Sequence, residues 1–107
     1  MIVLDVTFNR RLVRARVGEL LQLDLPEDAA AGSRWTLADP VPAELRLIKD
    51  KTSSARASDR RLEFRVVREG SFTLSLVCAR AWQQTHAASF EVYVQAYETE
   101  RRVTFDA

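Results

Sequence analysis

One cysteine, Cys78, and one histidine, His86, invite a reading as nucleophile and general base in this 107-residue chain. Such a pair needs a thiolate, a base within hydrogen-bond reach and a third group that orients the base. Cys78 falls on the same alternating face as Leu74 and Leu76, which predicts a packed, inert thiol, and no third group accompanies the two. The chain therefore reads as a non-enzyme. Glu27 and Asp28 share a loop but have no partners at metal-ligand spacing, and Asp5, Asp24, Asp39 and Asp50 are scattered, so no metal is expected. There is no zinc pattern, and three glycines leave no phosphate-cradling loop. No cofactor is expected. What stands out instead is aromatic: Trp35 closes the stretch Leu25-Pro26-Glu27-Asp28-Ala29-Ala30-Ala31-Gly32-Ser33-Arg34-Trp35, and Trp82 follows Arg80-Ala81. Aromatic anchors beside arginine are favoured where one protein grips another. The chemistry on offer is recognition.

The two tryptophan segments also resemble a known family. Chagasin-type inhibitors of papain-like cysteine peptidases read Leu-Pro-Glu-Asn-Pro-Thr-Thr-Gly-Tyr-x-Trp in one loop and Arg-Pro-Trp in another. This chain has a first loop of the same length and keeps Leu25, Pro26, Glu27, Gly32 and Trp35, and its second keeps Arg80 and Trp82. Val17-Gly18-Glu19 and the Gly70-to-Cys78 strand sit where the family places equivalent segments, so the resemblance runs from about Val6 to Ala96. The departures are chemical: Asp28 replaces Asn, Ala29-Ala30-Ala31 replaces Pro-Thr-Thr, Ser33 replaces the aromatic and Ala81 replaces Pro.

The resemblance implies a reversible, non-covalent inhibitor that occludes the active-site cleft of a papain-like cysteine peptidase with three loops. The first, with Asp28, Ala29, Ala30, Ala31 and Gly32, would cross the catalytic cysteine without offering a cleavable bond. The middle loop would add Ser54, Ala55 and Arg56, and the last would dock Arg80, Ala81 and Trp82 on the primed-side wall. Each lost threonine hydroxyl removes a hydrogen bond of ~1 kcal/mol, and each lost proline adds roughly 0.5–1 kcal/mol of ordering cost. Inhibition weaker by about one to three orders of magnitude follows from those figures. A non-inhibitory immunoglobulin-like interaction module on the same scaffold is the alternative.

Plainer roles stand beside these. Trp35 starts a strand and is expected in the core, as the third-strand tryptophan of immunoglobulin-like sandwiches is, whereas Trp82 is expected on the surface. Gly32 is either a turn glycine or the residue that permits a tight backbone path. Arg80 either pairs with Glu27 or Asp28 at the end of its own strand or anchors a group on the partner.

Period-two alternation must supply the frame for these loops. Leu21/Leu23/Leu25, Leu62/Phe64/Val66, Phe72/Leu74/Leu76/Cys78 and Phe90/Val92/Val94/Ala96 each alternate with polar residues. Breaks fall at Gly18, Pro26 to Gly32, Asp39-Pro40 with Pro42, Lys51 to Asp59, Glu69-Gly70 and Gln83 to Ala88. The pattern predicts an all-β, immunoglobulin-like antiparallel β-sandwich of seven or eight strands, in one domain over 1–107. Immunoglobulin-like topology sets the first and last loops side by side at one pole, and the resemblance implies that the middle loop joins them there. Arg14 and Arg16, interleaved with Val13, Ala15 and Val17, read as a guarded sheet edge. Residues 97–107 could add a further C-terminal strand.

A formal net charge of +1 gives no bulk attraction to nucleic acid or anionic membrane, and neither is expected as a partner. No apolar run approaches the roughly 20 residues a membrane-spanning helix needs. A soluble monomer is expected, with a homodimer through the C-terminal strand as the alternative. Its location is cytoplasmic as the sequence stands, and periplasmic or secreted if a leader once preceded Met1.

Overall fold

The alternating segments fold as strands whose apolar side chains meet between two sheets. The computed structural model describes residues 1–27, 32–52, 59–80 and 88–98. Its strands are β1 (Ile2–Leu4), β2 (Leu12–Arg16), β3 (Leu20–Pro26), β4 (Ser33–Leu37), β5 (Leu45–Thr52), β6 (Asp59–Val66), β7 (Gly70–Arg80) and β8 (Ala88–Tyr97). One sheet has the order β1-β3-β6-β5 and the other β2-β8-β7-β4. Leu21, Leu23 and Leu25 of β3, Leu62, Phe64 and Val66 of β6, Leu74, Leu76 and Cys78 of β7, and Phe90, Val92, Val94 and Ala96 of β8 are all buried. Burying one face of each sheet against the other supplies most of the driving force for such a fold. Phe72 is only partly buried, at the margin of this core.

The antiparallel expectation holds for β3–β6, β5–β6, β4–β7 and β7–β8. The start of the chain departs from it. β1 runs parallel to β3, and β2 runs parallel to β8, so the first sixteen residues are shared between the two sheets. A short 3-10 turn, Val6–Phe8, makes the crossing; the Asp5 carboxylate accepts the Thr7 N–H at 2.9 Å as its cap. Hydrogen bonds from Thr7 to its charged form hold the Asp5 carboxyl below the usual aspartate value. Gly18, at φ +97°, then turns β2 into β3. β2 is a sheet edge as its arginines suggest, and the Arg14 guanidinium lies 4.7 Å from the centre of the Tyr97 ring.

β5 carries a feature that alternation alone does not reveal. Arg46 pairs with Arg65 and Leu47 with Phe64, but the next pair is Lys49 with Glu63, leaving Ile48 as the extra residue of a β-bulge. A straight strand would turn Ile48 and Asp50 outward beside Arg46. The bulge reverses the parity, so that Lys49 and Lys51 face solvent, while Asp50 and Thr52 stand over Leu62 and Arg60 on the inner side.

Of residues 97–107, where a further strand is expected, Tyr97 is the last residue of β8, and 99–107 lie outside the described residues. Among the described residues no helix is long and apolar enough to cross a membrane, and no group of three or more His, Cys, Asp or Glu is placed to hold a metal ion.

Candidate functional site

Three connections leave the same end of the sandwich: 27–32 between β3 and β4, 53–58 between β5 and β6, and 81–87 between β7 and β8. Their stems are tied by the strand register. In one sheet Pro26 pairs with Asp59 and Thr52 with Arg60; in the other Ser33 pairs with Arg80 and Cys78 with Ala88. The middle and last connections are hairpins, each within its own sheet. The first passes from one sheet to the other, and its two stems pair with the stem of a different hairpin on either side. Three strands at ~4.8 Å spacing and two sheets ~10 Å apart make the base of this pole roughly 10 Å square in backbone terms. The stems of the three connections therefore rise from one narrow, register-bound base.

Among the expected site residues, Gly32 has φ +81°, in the left-handed region that favours glycine, immediately before β4. Arg80 is the last residue of β7, its backbone opposite Ser33. Asp28, Ala29, Ala30, Ala31, Ser54, Ala55, Arg56, Ala81, Trp82 and also His86 lie outside the described residues. Trp35 is in the core as expected, 3% exposed, and its indole Nε1 donates to the Pro26 carbonyl at 2.7 Å, a bond that crosses from β4 to β3. Cys78 is buried beside it in register, where burial, and then the negative charge of Glu27, push its thiol above the usual cysteine value. That is the inert thiol its face predicts.

What joins the stems is a buried charge network that no loop motif announces. Glu27 follows the inward-facing Leu21, Leu23 and Leu25, and its carboxylate is fully enclosed. One oxygen accepts the Trp35 backbone N–H at 2.9 Å and an Arg60 N–H at 2.8 Å; the other accepts the Thr52 hydroxyl at 3.1 Å. Arg60 in turn donates Nε to one Asp50 oxygen at 2.6 Å and an Nη to the other at 3.1 Å, a side-on fork. Those bonds to Asp50 raise the Arg60 pKa, burial opposes them, and the bonds to Glu27 add to the rise. Trp35 belongs to one sheet and Thr52 and Arg60 to the other, so a single carboxylate fastens the sheets together directly beneath the loops. Among the described residues no buried side-chain nitrogen or oxygen lacks a hydrogen-bond partner.

A signal for this network was present in the alternation. Arg60 has the parity of Leu62, Phe64 and Val66, and Glu27 that of Leu21, Leu23 and Leu25, so each is a charge at an inward position. Inward charges need one another.

The model of the chagasin family of peptidase inhibitors, I42, matches residues 14–94 of the chain. The chain belongs to the chagasin family. Solved structures carry the same fold at low identity. The chagasin-family chain here is similar to the cysteine protease inhibitor EhICP2 from Entamoeba histolytica, with a TM-score of 0.80 and 17% identity over 90% of this chain and 94% of that one. It is similar to PbICP-C, solved in complex with falcipain-2, with a TM-score of 0.66 and 16% identity over 91% of this chain and 100% of that one. Amebosin, solved in solution, gives a TM-score of 0.66 and 14% identity over 90% and 97% of the two chains. No curated protein matches the chain by sequence. Membership of the chagasin family makes this a peptidase-inhibitor scaffold and not an enzyme.

Proposed function

We propose that this chain is a reversible, non-covalent inhibitor of papain-like cysteine peptidases that fills the active-site cleft with the three loops of one pole. The observation that carries the reading is the convergence of three loop stems on one narrow, cross-braced base in a chain of the chagasin family. A papain-like site suits such a tip, because its thiolate and imidazolium lie at the bottom of a cleft that only a slender insert reaches. The first loop, through Asp28, Ala29, Ala30, Ala31 and Gly32, covers the catalytic cysteine and presents no carbonyl in attack geometry. Ser54, Ala55 and Arg56 contact one rim. Arg80, Ala81 and Trp82 contact the other, where Arg80 anchors a carboxylate or carbonyl and Trp82 stacks on an aromatic, such pairs adding ~1 kcal/mol beyond area burial. PbICP-C, whose structure this chain resembles, is solved in complex with falcipain-2, which supports a peptidase as the partner.

The test is steady-state inhibition of papain and of a cathepsin L-like peptidase by the purified chain, with the Arg80→Ala/Trp82→Ala double variant alongside. Competitive inhibition at micromolar or tighter that is lost in the variant is the expected result. A folded chain that inhibits neither enzyme at high micromolar concentration refutes the proposal and leaves a binding module without inhibitory activity.

A further inference from the structure

The sheets alone do not fix the three stems with respect to one another. Thr52 lies on β5 and Trp35 on β4, and both are edge strands with a single neighbour. Edge strands carry unpaired backbone groups and are free to shift at their ends. Here both edges end on the same carboxylate. The Trp35 N–H that closes on Glu27 sits two residues after Ser33, which pairs with Arg80, and the Thr52 hydroxyl and Arg60 guanidinium that close on it flank the middle loop. Asp50, turned inward by the bulge in β5, holds the far side of Arg60 and so fixes its reach.

We propose that Glu27 is a positioning residue for peptidase binding: its enclosed carboxylate, held by Arg60, Thr52 and Trp35, locks the stems of the first and middle loops together, so that the tip meets the cleft already formed. The proposal rests on the inhibitory reading above. A binding surface that is competent only part of the time loses affinity in proportion to the competent fraction, and the loss appears in association rather than in dissociation. Glu27 touches no partner in this arrangement. It acts through the stems.

The experiment is stopped-flow or biosensor measurement of kon and koff against papain for the full chain and three variants. Glu27→Gln keeps the shape and removes the charge that Arg60 and the Trp35 amide require. Thr52→Val removes one arm and leaves no buried charge unpaired, so it tests the same idea in a protein whose folding is little disturbed. Val66→Ala destabilises the core at the opposite end of β6, where Val66 is completely buried, without touching the network. The expected result is a kon lowered about tenfold in Glu27→Gln and severalfold in Thr52→Val, with koff within about twofold of the parent in both. Val66→Ala should keep the parent kon at a temperature where it is fully folded. Hydrogen exchange of the Trp35 amide, read without any peptidase, should accelerate in Glu27→Gln and not in Val66→Ala. A parent that binds while both network variants associate at its rate overturns this proposal alone, as does an equal fall in kon for Val66→Ala. A folded parent that binds no papain-like peptidase overturns the functional reading and this proposal with it.

Discussion

Replacing Arg60 with methionine isolates the energetics of the pole. Met fills a similar volume but leaves the Glu27 carboxylate, with no exposed side-chain surface, facing only the Trp35 amide and the Thr52 hydroxyl. Breaking a buried ion pair from one side costs about 3–5 kcal/mol. Two hydrogen bonds remain on Glu27, and the Arg60 side chain is itself 13% exposed, so the lower end of that range applies, about 3 kcal/mol. The Asp50 arm adds little, since Asp50 is 38% exposed and a pair of that kind contributes under about 1 kcal/mol. In a domain of this size 1 kcal/mol moves Tm by about 4–8 °C, so Arg60→Met should melt about 12–24 °C below the parent. The double variant Glu27→Gln/Arg60→Met removes both charges and should be more stable than the sum of the two single losses by at least about 1 kcal/mol. Urea unfolding at pH 7, followed by tryptophan fluorescence, measures all four corners of the cycle. Two single losses each below about 0.5 kcal/mol, or a double loss equal to their sum, would refute the view that Glu27 and Arg60 form one enclosed pair.

The remaining predictions test other parts of the molecule. Deleting Ile48 removes the extra residue of the bulge and preserves every flanking pair, so the variant should fold and inhibit, whereas deleting Asp50 brings Lys51 to the inner face beside Arg60 and should destabilise strongly; circular dichroism melts of both decide it. The Cys78 thiol should react with a disulfide reagent far more slowly at pH 8 than after unfolding, because burial raises its pKa. A raised folded pKa stabilises the fold below the unfolded thiol value, about 8.5, and that share is lost as pH climbs through the folded value, so urea midpoints should fall above pH 8.5 in the parent and not in Cys78→Ser. Ala30→Thr with Ala31→Thr restores two hydroxyls to the first loop and should tighten peptidase inhibition by about tenfold or more, read as Ki; an unchanged or weaker Ki contradicts the placement of that loop over the catalytic centre.

Most of the fold could be read from the sequence because inward and outward residues alternate cleanly where a strand has one buried face. Leu21 to Leu25, Leu62 to Val66 and Phe90 to Ala96 are of this kind, and each lies in a strand with neighbours on both sides. Immunoglobulin-like strand order put the first and last loops side by side and the family resemblance added the middle one, which is why the common pole was legible. Three things were not. After Leu45 β5 is exposed along almost its whole length, so Leu47 and Ile48 do not mark an inner face, and the bulge at Ile48 shifts parity without any change in composition. The pairing of Glu27 with Arg60 spans 33 positions, and alternation marks each as inward without saying which charge meets which. The split start of the chain was hidden for a related reason: Ile2 to Leu4 and Leu12 to Arg16 look like ordinary strands, and nothing local says that they join different sheets in parallel.

That divided start bears on how the protein is made. The sheet β1-β3-β6-β5 has all its strands once residue 66 has been synthesised, but the other sheet cannot be completed until β8, Ala88–Tyr97, has emerged to receive β2. Until then the leucines and Phe64 of the first sheet have at most the β4–β7 pair opposite them, and β2 waits unpaired at the far end of the nascent chain. Contacts between first and last strands are the slowest to form and leave apolar surface open longest. The guanidinium groups of Arg14 and Arg16 sit on the strand that waits, where their charge discourages it from pairing with a neighbouring chain before its own partner arrives.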